Sequence, residues 1–128
     1  MDVDQPTEFE ASIFRHFAAR TSDTALQSQL SNVAILSRKH TGVGCYSDLL
    51  TKEGAPATMA AYGSHGPLSG PHFESPRVEL GGGTLLWFKD GRAVCLEIFA
   101  YGEFFPEDHA DLMPFKLMDG PIDESDSR

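Results

Sequence analysis

The dipeptide Asp90-Gly91, set between the runs TLLWFK and RAVCLEIFAY, constrains this chain more than any other feature. Two-residue hairpin loops use turns whose central positions both need positive φ, which Asp tolerates and Gly accepts freely. The flanking runs are apolar and aromatic, so residues 84–101 are expected to form a β-hairpin. Setting Lys89 opposite Arg92 pairs Trp87 with Val94, Leu85 with Leu96 and Thr84 with Glu97. One face then carries Leu85, Trp87, Val94, Leu96 and Ile98; the other carries Leu86, Phe88, Ala93, Cys95, Glu97, Phe99 and Tyr101. Both faces are apolar, so the hairpin either lies centrally with both sides covered or offers one side to a partner.

The remaining elements are expected to surround this hairpin. Phe9, Ile13 and Phe17 recur on one face of a helix over residues 7–20, with Thr7 as cap and Glu8 and Glu10 at the positive end of its dipole. A second helix is expected from 23 or 24 to 30, capped by Asp23, with Leu26 and Leu30 inward. Residues 33–39 form a strand candidate, followed by Gly42-Val43-Gly44 and a second apolar run through Leu50. Residues 54–76 hold four Gly and four Pro, and are expected to form a long loop with one short strand near 58–62. A short strand near 76–80 and a helical turn within 106–113, ended by Pro114, complete the set. The expected fold is α+β: N-terminal helices packed on an antiparallel sheet of four to six strands. The chain has 128 residues, room for one domain over 1–118, with 119–128 an acidic, flexible tail.

The formal charge is −9, but it is concentrated at the ends. Residues 11–118 carry eleven acids and nine bases, a net of −2. The longest basic run is Arg38-Lys39, which disfavours nucleic acid as a partner. No stretch approaches the about 20 apolar residues needed to cross a bilayer. The opening MDVDQP has neither a basic nor an apolar signal region, so a cytoplasmic chain is expected. Cys45 and Cys95 are too few for a disulfide framework.

Glu97 is the most informative single residue. The register above sets its carboxylate among Leu86, Phe88, Cys95 and Phe99, where an unpaired charge would be costly. It reads either as a buried acid available for proton transfer or cation binding, or as a carboxylate satisfied by structural donors. His65 and His72 lie in the Gly/Pro loop and are the residues that a pocket around Glu97 would recruit. No histidine pair has metal-ligand spacing, so neither a metal nor another cofactor is expected. Cysteines in apolar strands are expected to be inert, and neither Gly42-Val43-Gly44 nor Gly81-Gly82-Gly83 has the pattern of a phosphate cradle. Tyr101, Phe104 and Phe105 either anchor a partner or close the sheet end as a small core. Glu103, Glu107, Asp108 and Asp111 beside them either suit a cationic partner or form a solvated surface.

The segment Thr41-Gly-Val-Gly-Cys-Tyr46, together with GGGTLLWFKDGRAVCLEIFAYGE (81–103) and Phe105-Pro106-Glu107, resembles an uncharacterised family of small bacterial proteins. Its pattern is a T-G-V-G-aromatic segment, a glycine-led strand, a D-G turn, an L-E pair and an aromatic-G-E-x-x-P close. This chain departs at Cys45-Tyr46, where an aromatic directly after Gly44 is expected, and at Ile98, where Gly often follows the Glu. The resemblance implies no activity and assigns no catalytic residue.

Two functions follow as expectations. One is a non-enzymatic, acidic module that binds a basic protein, with an immunity-like role against a basic toxin as one version. The other is a small enzyme or ligand-binding protein with a pocket built on Glu97 and the loop histidines. A homodimer through the two-sided hairpin is compatible with both.

Overall fold

The computed structural model describes residues 3–102 and 104–119. Along the chain run α1 (Glu8–Arg20), α2 (Thr24–Leu30), β1 (Ala34–His40), β2 (Gly44–Leu50), α3 (Tyr62–His65), β3 (Leu68–Ser69), β4 (His72–Ser75), β5 (Val78–Lys89) and β6 (Arg92–Ala100). A 3-10 turn at His109–Leu112 and β7 (Lys116–Met118) follow. The strands form one antiparallel sheet in the order β1-β2-β6-β5-β4-β7, with β3 also paired to β5. The fold is therefore α+β, as the sequence pattern requires.

Asp90 and Gly91 both have positive φ, 52° and 80°, as the tight turn between β5 and β6 demands. The hairpin register nevertheless departs from the simple count at one residue. Lys89 faces Arg92 and Phe88 faces Ala93, but Trp87 faces Cys95, leaving Val94 as a β-bulge. From there every pairing moves by one: Leu86 faces Leu96, Leu85 faces Glu97 and Thr84 faces Ile98. Because side chains alternate along a strand, this step exchanges the faces of everything beyond it. Leu96 and Ile98 turn inward with Leu86 and Thr84, all 2% exposed or less. Cys95, Glu97 and Phe99 join Leu85 and Trp87 on the opposite side. The expected setting of Glu97 between Leu86 and Phe88 is thus corrected.

The inward face is covered by the helices. Thr7 caps α1 with a reciprocal capping box: its hydroxyl accepts from the Glu10 N–H and its own N–H donates to the Glu10 carboxylate. Phe9, Ile13, Phe14 and Phe17 then pack on Ile35, Leu49, Phe73, Leu96 and Ile98. Phe105 is also buried, 2% exposed, with its ring 6.4 Å from Phe9 and 6.0 Å from Phe73. It closes the core and does not stand on the surface as an anchor.

Two polar groups fasten the helices in place. Asp23 caps α2 through the N–H groups of Ala25 and Leu26, and also accepts from the Thr58 and Tyr62 hydroxyls. Gln29, fully buried, donates to the carbonyls of Pro56 and Gly91 and accepts from the Ala93 N–H, each at 2.9 Å. The glycine- and proline-rich segment is therefore pinned rather than loose. It carries the α3 turn, β3 and β4, and no strand forms at 58–62. The expected strand at 76–80 is the start of β5, which continues through Gly81-Gly82-Gly83. At Gly82 a Cβ would collide with the Phe99 carbonyl and the Phe73 ring, which explains glycine at that point of a central strand.

Of the acidic tail expected at 119–128, Asp119 pairs with Arg20 and His16; residues 120–128 lie outside the described residues. Replacing Gln29 with Ala strands the buried Ala93 N–H and takes a donor from the Pro56 and Gly91 carbonyls, of which Gly91 keeps the Thr58 N–H. We expect a loss of about 1–3 kcal/mol in urea unfolding, with the far-UV circular dichroism of the folded state unchanged.

Candidate functional site

Two polar clusters, one sealed and one open, compete for the role of a site. The sealed cluster is built around Glu10, which has no exposed surface. Its carboxylate accepts from Arg38 Nε at 2.9 Å, Arg38 Nη2 at 2.7 Å, Ser47 Oγ at 2.7 Å and the Thr7 N–H at 2.9 Å. Burial would raise its pKa; the hydrogen bonds and the Arg38 charge more than reverse that and hold it below the ordinary 4.5. His109 Nδ1 lies 2.8 Å from Thr7 Oγ1 and 4.0 Å from the Glu10 carboxylate. Among the described residues, His109 Nε2 and His40 Nδ1 are buried without a hydrogen-bond partner. Burial lowers the His109 pKa; the Glu10 charge opposes this, while Arg38 and His40 reinforce it. The Glu10 carboxylate is met by donors from α1, β1 and β2, so the chemistry of the cluster around it is that of a clamp between these elements and the 3-10 turn.

The open cluster lies on the sheet face opposite α1 and α2. Register places Lys39, Tyr46, Glu97, Leu85 and Ser69 in one row across β1, β2, β6, β5 and β3. The neighbouring row is Ser37, Asp48, Cys95 and Trp87. Tyr46 and Trp87 are 40% and 38% exposed, and Glu97 between them is half-buried. The Trp87 indole N–H donates to Glu97 Oε1 at 2.9 Å, and the Ser37 hydroxyl donates to Asp48 at 2.9 Å. The Glu97 charge raises the Tyr46 phenol pKa, with lesser help from desolvation and a hydrogen bond to the carboxylate. Burial, followed by the charges of Asp48 and Glu97, pushes the Cys95 thiol up to about 12. Cys45, raised chiefly by burial, is likewise a protonated thiol at neutral pH, and both are free.

The candidates named from sequence are distributed unevenly over this frame. His65 ends α3 on the surface, and His72 sits on β4 with Nδ1 2.8 Å from the Tyr101 hydroxyl. Tyr101 is four residues beyond Glu97, about 13 Å along the strand direction. Among the described residues neither histidine bonds to Glu97, and the structure does not assemble the three into one pocket. Tyr101 belongs to the open side. Phe104, Glu107, Asp108 and Asp111 are exposed around the 3-10 turn, which packs against α1 on the covered side, with Asp108 capping it through the Ala110 N–H. Glu103 lies outside the described residues. No group of three or more His, Cys, Asp or Glu among the described residues could hold a metal ion. No helix among them is long and apolar enough to cross a membrane.

Glu10, Arg38, Ser47 and His109 were not singled out as a group by the sequence reading. One signal was available: on a helical wheel Glu10 falls between Phe17 and Phe14, inside the apolar arc of α1. Trp87 becomes a neighbour of Glu97 only once the Val94 bulge is placed, and Tyr46 only once β2 is paired to β6. Comparison of the chain with protein-family models, with curated proteins and with solved structures returns no match.

The sealed cluster sets a pH dependence. His109 titrates at about 6.5 in the unfolded chain and lower in the fold, so its neutral form contributes fully above that pH. Stability should therefore fall as the pH drops below about 6.5, towards the folded pKa. Glu10, also depressed, adds a second loss below about 4.5. Urea midpoints between about pH 7 and about pH 5 should decline for the native protein and decline less for His109→Gln.

Proposed function

We propose that this protein is a non-catalytic binding module that takes a basic protein partner on the open face of its sheet. The observation that carries this reading is the exposed pair Tyr46 and Trp87, set around Glu97 on the face opposite the helices. Half-exposed aromatic side chains surrounded by further apolar surface are what interface centres are made of, since they bury much area for little lost rotamer freedom. Leu85, Cys95 and Phe99 supply that surface, and all three are half-buried.

The charge of the whole chain selects the partner. The open face carries Glu97 and Asp48 at its centre, with Lys39 towards one edge and the Lys89–Arg92 pair at the hairpin end, and the chain as a whole is at −9. A basic protein would be drawn to it over about a Debye length, or roughly 10 Å at 0.1 M salt. The alternative of a pocket around Glu97 is the weaker reading, because the histidines it needs stand elsewhere. The clefts of about 510 Å³ beside Asn32, Leu50 and Arg92 and about 470 Å³ beside Asp23, Thr58 and Tyr62 do not include Glu97 either.

Site-directed photo-cross-linking in the native host tests the reading. A benzoylphenylalanine in place of Leu85 should give adducts with a basic protein, and these should fade in about 0.5 M salt as screening shortens to a few ångströms. The same group in place of Arg15, on the exposed side of α1, should give none. Equal adducts from both positions, or adducts from 85 with acidic proteins only, would contradict it.

A further inference from the structure

Resting on that reading and going one step further, we propose that Glu97, Trp87 and Tyr46 form a receptor for a single arginine side chain of the basic partner. The carboxylate of Glu97 is already oriented: Oε1 accepts from the Trp87 indole at 2.9 Å, which fixes the side chain without neutralising it. A carboxylate has about four acceptor positions; the Trp87 indole and the Tyr46 phenol occupy part of them, and the rest stay available to an incoming cation. Among the described residues no lysine, arginine or histidine forms an ion pair with Glu97. Lys39 shares its row but stands two strands away, with Tyr46 between them, about 10 Å across the sheet.

The aromatic rings match the same ligand. Tyr46 faces Glu97 directly from β2 and Trp87 lies diagonally across on β5, with its indole N–H edge turned to the carboxylate; the two rings are 40% and 38% exposed, which leaves ring surface beside the acid. A guanidinium ion is planar, presents paired N–H donors that fit a carboxylate, and stacks on aromatic faces. An ammonium ion is a compact, strongly hydrated point charge and uses this arrangement less completely. Arginine therefore satisfies the charge, the hydrogen bonding and the rings at once. Leu85, beside Glu97 in register, supplies an apolar floor for the arginine stem.

A second copy of the chain is a poorer occupant. An isologous interface puts the same patch on both sides, so a two-fold axis through Glu97 would set its carboxylate against its own copy. Like charges brought together and desolvated in that way are costly.

Trp87 is the single tryptophan of the chain, so its emission reports on this site alone. The probes are acetylated, amidated Gly-Gly-X-Gly-Gly peptides with X as arginine, lysine or citrulline, titrated into the full chain at low salt while its mass is followed by light scattering. The arginine peptide is expected to shift Trp87 emission saturably, the lysine peptide to bind several-fold more weakly and the neutral citrulline peptide to have no effect. Glu97→Gln, which keeps the Trp87 bond and the fold, should weaken the arginine peptide at least tenfold. Asp111→Asn, an acid on the covered side, should leave it unchanged. Equal response to citrulline, an unchanged affinity in Glu97→Gln, or a concentration-dependent dimer that hides Trp87 would overturn the arginine receptor. If the receptor fails while the Leu85 cross-link to a basic protein persists, the face remains a docking surface read through other contacts. If both fail, the binding-module reading falls with it.

Discussion

The carboxylate of Glu10 is wholly out of solvent and has to be met by donors, and meeting it fixes which side of the sheet the first helix covers. The donors come from three places: the cap of α1 itself, Arg38 on β1 and Ser47 on β2. A helix rotated or shifted by one turn would leave a charge without partners in the core, at a cost of several kcal/mol. Hydrophobic packing of Phe9, Ile13 and Phe17 supplies the bulk of the attraction, and the Glu10 contacts supply the register. With one sheet face committed to the helices, the opposite face is left open.

What that opposite face displays is decided by one bulged residue. If β5 and β6 paired without interruption, Glu97 would face the helices, and Leu96 and Ile98 would face water. Val94 absorbs one position, so the apolar pair turns in and the acid turns out beside Trp87. Bulges both re-aim side chains and strengthen local twist, and this one does the first with a direct chemical consequence. It converts Glu97 from a buried liability into an oriented, solvent-reachable carboxylate between two aromatic rings.

Much of the architecture was legible from local chemistry. The Asp90-Gly91 turn, the Thr7 and Asp23 caps and the period of Phe9, Ile13 and Phe17 each act through neighbours in sequence, where a single chain carries the information. The bulge at Val94 was not legible, because it is set by which residues the helices can cover, a choice made in three dimensions. For the same reason residues 54–76 read as a long loop with a strand near 58–62: Gln29, Asp23 and Gly91 hold that segment from far along the chain. Phe105 shows the limit of composition, since an aromatic beside Glu107 and Asp108 suits a surface anchor and a core plug equally well. Glu10 was legible in part, as an acid within an apolar arc, although its position in the first helical turn offered a sufficient dipole explanation.

On the proposed reading, recognition belongs to the open sheet face and not to the acidic surface near the 3-10 turn. Chemical-shift mapping of the isotope-labelled chain against the arginine peptide separates the two, because every amide reports at once. Shifts are expected to concentrate on Tyr46, Leu85, Trp87, Cys95 and Glu97, with the Trp87 indole among the largest. Shifts centred instead on Glu107, Asp108 and Asp111, or spread evenly over the acids of the chain, would contradict it.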